Sequence, residues 1–99
     1  MQVLINLKNN SSTDLVNPKV IGNVNPPPPP LIAKGASFTC NLMIGNSSSD
    51  QGGLFYTENA NGTSVGIQVR NGITPEFTIR NRGTFSSKII NEVTIEFNP

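Results

Sequence analysis

Apolar and polar residues alternate with a period of two along almost the whole chain. Val3, Ile5 and Leu7 take turns with Gln2, Asn6 and Lys8. Phe38, Cys40, Leu42 and Ile44 alternate with Thr39, Asn41 and Met43. Val65, Ile67 and Val69 keep the same rhythm, and Val93, Ile95 and Phe97 repeat it near the end. Successive side chains of a strand point to opposite faces, so this period marks half-buried strands. No helical face runs longer than one turn. Extended segments are predicted at 2–8, 15–24, 38–44, 54–57, 64–70, 76–82 and 92–97. Pro18 cannot donate to a ladder, which places the second segment at a sheet edge. Between the segments lie turn-forming stretches: "NNSST" at 9–13, "RNRGT" at 80–84, and Asn-Gly pairs at 61–62 and 71–72. Asn-Gly accepts positive φ at both residues and signals a hairpin. "GNSSSDQGG" at 45–53 reads as a long flexible loop. One wet face and one dry face per sheet require two sheets packed dry face to dry face. The expectation is an all-β fold, a small antiparallel β-sandwich of six to eight strands with jelly-roll or Ig-like topology, as a single domain over 1–99.

Five consecutive prolines, Pro26–Pro30, interrupt the pattern. They favour a left-handed polyproline helix rising ~3.1 Å per residue, so the run spans roughly 15 Å. They also offer no N–H to a neighbouring strand. The run is expected to act as a strut within the domain, carrying the chain from one sheet to the other and keeping the 20–24 segment apart from the 38–44 strand. A docking motif for an aromatic-lined groove, or a hinge for strand exchange between subunits, are the functional alternatives.

Composition narrows the function classes. The 99 residues carry seven basic and six acidic side chains, a formal net charge of +1. That balance argues against nucleic acid as a partner, which calls for a basic excess. Charged residues make up only 13% of the chain, against ~25% in ordinary soluble domains. The wet faces are therefore built from Asn, Ser, Thr and Gly, and such surfaces repel each other weakly. The apolar run in "MQVLINLKNN" is too short for a signal peptide, and no stretch reaches the ~20 residues of a transmembrane helix. The expected location is the cytoplasm, with release or deposition as an assembly the alternative. Asn-x-Ser/Thr triplets at Asn9, Asn10, Asn46 and Asn61 are read as turn chemistry.

Reactive groups are scarce. The chain has no His, which removes the commonest general base and metal ligand. Cys40 shares parity with Phe38 and Leu42, a core position where a thiol is inert. The carboxylates Asp14, Asp50, Glu58, Glu76, Glu92 and Glu96 fit no acid–base pair or calcium loop. The expectation is no enzyme, no cofactor and no metal. Two surface features remain as candidate ligand-binding sites. Arg70, Arg80 and Arg82 share outward parity and are expected to gather near one sheet edge, where guanidinium groups suit anionic lipid headgroups, sialic acid or sulfate. The alternative is a solvated patch balanced by Glu58 and Glu76. Phe55 and Tyr56 sit among Asn, Gln and Ser donors, a combination that binds sugars and headgroups, unless one of the rings belongs to the core.

The opening "VLINLKNNSSTDL", then "LIAKGASFTCNL", "GGLFYTENANGTSVGIQV" and a final "NEVTIEF" resemble, in their order of strands and Gly turns, the aegerolysins and the actinoporin-like sandwich proteins. The resemblance implies a small protein without a signal peptide that binds specific membrane lipids, in some members with a partner to form pores. It points to the loop region around Phe55 and Tyr56 as the contact. Two functions follow as expectations: a lipid- or glycan-binding, toxin-like module, or a self-assembling structural protein forming filaments, shells or crystalline inclusions, with low charge and amide-rich faces permitting self-association.

Overall fold

The computed structural model describes all 99 residues, Met1–Pro99. Ten strands and no helix make up the chain: β1 (Gln2–Asn9), β2 (Leu15–Ile21), β3 (Asn23–Asn25), β4 (Leu31–Ile32), β5 (Ser37–Met43), β6 (Gln51–Glu58), β7 (Ser64–Arg70), β8 (Glu76–Arg80), β9 (Gly83–Ile89) and β10 (Glu92–Phe97). They form two five-stranded sheets, ordered β3-β5-β1-β10-β9 and β4-β2-β6-β7-β8. Neighbours are antiparallel except β1 and β10, which run parallel with Ile5 beside Val93 and Leu7 beside Ile95.

The alternating residues supply the core from both sheets. Val3, Ile5, Leu7, Cys40, Leu42, Val93, Ile95 and Phe97 of the first face Leu15, Leu54, Tyr56, Val65, Ile67 and Val69 of the second, all buried. The fold is thus the small β-sandwich that the periodicity requires, with ten strands rather than six to eight. The additional strands are the short β3 and β4 and the exposed β9.

Three expectations about connections need correction. The 15–24 segment is two strands, not one edge strand. Gly22, with φ of 91°, turns the chain between them, and a Cβ there would sit 2.7 Å from the Met43 carbonyl oxygen. β2 stays in the second sheet between β4 and β6, and its ladder skips Pro18 through a bulge between Val16 and Lys19. β3 crosses to the first sheet and pairs with β5, Val24 beside Leu42. The prolines therefore do not separate these two segments: the run begins only after Val24, so the donors of β3 stay free. Pro26–Pro30 instead link β3 of one sheet to β4 of the other along one flank, beginning with a cis Asn25–Pro26 peptide. Tyr56 donates its hydroxyl to the Pro29 carbonyl at 2.8 Å and clamps the run to the core. Finally, the 45–53 loop stops at Asp50 and is bonded in place. Asp50 accepts from the Ser47 N–H at 2.9 Å, and the Asn71 amide donates to the Gly45 and Ser47 carbonyls at 3.1 and 3.0 Å.

Candidate functional site

The outer face of the second sheet carries most of the side chains expected to bind a ligand. Its ladders set Lys19 beside Phe55, Phe55 beside Gly66, and Gly66 beside Arg80 in one row across four strands. Phe55 points outward yet is only 8% exposed. Glycines make the hollow that holds it: a Cβ at Gly53 would lie 2.6 Å from its ring, and one at Gly66 2.7 Å. Arg80 reaches over Gly66 and stacks its guanidinium 4.7 Å from the ring centroid, a contact driven by the ring's negative face. Gln68 donates to Gln51 in the neighbouring rows. Phe55, Gln68, Thr78, Ile79 and Arg80 line a shallow depression of about 160 Å³.

The three arginines do not gather. Arg70 pairs in register with Glu76 and Arg80 with Gly66, four ladder positions apart on β8, which is about 13 Å at strand rise. Arg82 lies beyond the strand and ion-pairs with Glu58. Glu58 is not a surface counter-charge either. It shares inward parity with Leu54 and Tyr56 and is 1% exposed. Outward parity alone could not foresee this, because Arg82 belongs to the β8–β9 turn and not to a strand. Tyr56 also leaves the candidate list, since its ring is core and its hydroxyl is spent on Pro29. Of the predicted ligand residues, only Phe55 and Arg80 come together.

Cys40 and Tyr56 are neighbours in the core. Burial pushes the Cys40 thiol from about 9 up to about 11. Burial, and secondarily the neighbouring Cys40, holds the Tyr56 phenol well above its usual range. Both groups keep their protons in the folded chain at pH values where the unfolded chain has lost them. The folded state then binds more protons, so stability falls as pH rises through this window. For Cys40 the slope is about 1.4 kcal/mol per pH unit between its two values. Melting temperature is expected to drop steeply above pH 9, and Cys40→Ala should flatten the decline between pH 9 and 10. Equal slopes for the two proteins in thermal melts would contradict this assignment. No group of three or more His, Cys, Asp or Glu side chains is placed to hold a metal ion.

Sequence reading missed the second surface altogether. β8 ends the second sheet and β9 ends the first, and both lie on the flank opposite the prolines. The two flanks differ sharply. On the proline side the terminal strands are three and two residues long. On the other side they are five and seven residues long, with an unpaired row of main-chain donors and acceptors each. Phe85, Ile89, Ile90 and the fully exposed Ile73 stand in the open there, while Val20, Ile21, Leu31 and Met43 are exposed on the proline-side strands β2, β4 and β5. A cleft of about 290 Å³ between the sheets is lined by Thr74, Pro75, Phe77, Lys88, Ile89 and Ile90. Lys88 leans back over the Phe85 ring, 4.9 Å from its centroid.

The chain matches no protein-family model, and no curated protein matches it.

Proposed function

We propose that this protein is a non-catalytic β-sandwich that acts by associating with copies of itself, as a subunit of a filament, shell or inclusion. The observation that carries this reading is the open β8–β9 flank. Two unpaired edge strands and four large exposed apolar side chains share one side of the molecule. Exposed strand edges template pairing with further chains, and apolar patches of this kind mark protein contacts. The low charge of the surface supports the reading, because little repulsion opposes close approach. Sedimentation velocity from low micromolar to near-millimolar protein tests it. A mass that grows with concentration is expected; a strictly monomeric species throughout would refute it.

A second reading draws on the outer face of the second sheet. Lys19 and Arg80, the latter held in place by its stack on Phe55, with Gln51 and Gln68 alongside, offer two cations and amide donors to an anionic lipid headgroup or an acidic sugar. The aegerolysin-like order of strands agrees with it. Binding to anionic or sphingolipid vesicles or to a glycan array, lost in Arg80→Ala with the fold intact, would favour this reading. Absence of binding to all of them would remove it.

A further inference from the structure

β8 reads Glu76-Phe77-Thr78-Ile79-Arg80, and the order is complementary to itself when reversed. Two copies laid antiparallel about a two-fold axis through Thr78 set Glu76 opposite the second copy's Arg80 and Phe77 opposite its Ile79. Both charged pairs then match, and so do both apolar pairs. We propose that β8 is the dimer interface of this protein: two copies pair edge to edge through Glu76–Arg80 in that register. The inference rests on the self-association reading above and names its surface and its partner, a second copy of the chain.

Four observations support it. β8 is the terminal strand of its sheet, so one full row of its main-chain groups is unpaired. Antiparallel pairing about a residue satisfies that row whichever set of N–H groups points outward. Glu76, Thr78 and Arg80 are exposed while Phe77 and Ile79 are half-buried at the margin of the core, so pairing continues each face of the sheet into the like face of its neighbour. Neither Glu76 nor Arg80 has an ion-pair partner within its own chain. Arg80 spends one face of its guanidinium on Phe55, which leaves the N–H groups around its rim for a carboxylate. Apolar area comes from beside the strand. Ile73, Ile89 and Ile90 are exposed on the same flank next to the 290 Å³ cleft. A five-residue strand falls short of the ~800 Å² per partner that stable pairs bury, so the proposed interface also draws on these residues for apolar area.

β9 fits less well as the primary seam. It carries a bulge opposite Thr94 and Ile95 and a lysine, features that discourage edge pairing, and it has no acidic residue to match Lys88.

Charge reversal tests the register. Arg80→Glu sets two carboxylates opposite each other on both sides of the axis, and Glu76→Arg sets two guanidinium groups. Each is expected to raise the dimer dissociation constant about tenfold or more in sedimentation equilibrium. The double variant Glu76→Arg/Arg80→Glu restores the match and should recover the dimer. Circular dichroism and melting temperature confirm that each variant is folded, and the rescue shows that lost Phe55 stacking is not the cause. An oligomer indifferent to both reversals would overturn this interface while leaving self-association standing. A monomeric wild type would end both.

Discussion

Asn9→Ala is expected to cost about 3–5 kcal/mol, a large part of the stability of a chain this size. Asn9 is 1% exposed and every polar atom of its side chain is used. Its amide donates to the Thr13 carbonyl at 3.0 Å and to the Ile32 carbonyl at 2.9 Å. Its oxygen accepts from the Ser11 hydroxyl at 2.5 Å and the Ser11 N–H at 3.2 Å. The backbone is engaged as well, with the Ala36 carbonyl and the Gly35 N–H. One side chain thus joins the end of β1 to the 9–13 turn and to β4 in the other sheet. Alanine strands the buried Ile32 carbonyl and the Ser11 N–H, while the Thr13 carbonyl keeps the Ser11 hydroxyl at 2.9 Å, and each stranded group costs ~1–3 kcal/mol. Asn9→Asp should be at least as damaging near neutral pH, because an acceptor replaces the donor that faces both carbonyls. Urea denaturation provides the check. A loss under about 1 kcal/mol, below the cost of even one stranded group, would show that water replaces these bonds.

Arg82→Ala is expected to cost about 2–4 kcal/mol. Glu58 remains buried on the inner face of β6 when its cation is removed. Breaking a fully buried pair costs ~3–5 kcal/mol. Arg82 is 40% exposed on its side chain, so the figure here is lower. Replacing both partners, Glu58→Leu with Arg82→Leu, should recover most of the loss. An Arg82→Ala variant with wild-type stability at pH 7, or a double variant no more stable than Arg82→Ala, would contradict the pairing.

The strands most legible in the sequence are those with one dry face, and β8 was legible too although it has a neighbour on one side only. β1, β5, β7 and β10 each feed alternate residues into the core, so their periodicity is enforced. β9 escaped notice because nothing enforces it there. Thr84–Ile89 are exposed throughout, the bulge breaks the alternation, and the turn into β10 uses Asn91 with φ of 62° and no following glycine. The break at Gly22 was hidden for a different reason, since a strand that changes sheets keeps its extended pattern. At the candidate site, parity told that Phe55 and Tyr56 point opposite ways but not which points inward. The glycines that hold Phe55 on the outer face come from its own strand and from β7, and their relation appears only once the register is known. Two signals of buried polar groups are present in the sequence. Asn9 has the parity of Val3, Ile5 and Leu7, and Glu58 that of Leu54 and Tyr56. A polar residue continuing an apolar stripe marks a buried, partnered group.

In the proposed assembly the flank opposite the prolines meets a second copy of the chain, and amide hydrogen exchange reads that contact directly. With the protein diluted and then concentrated, the amides of Glu76–Arg80 that point away from β7, every second one along the strand, should pass from fast exchange to strong protection, with protection also growing around Ile73 and Ile89–Ile90. The amides of the 9–13 turn and of β4 should show no change. Edge amides that exchange equally fast at every concentration, or protection that appears first on the proline side, would contradict the account.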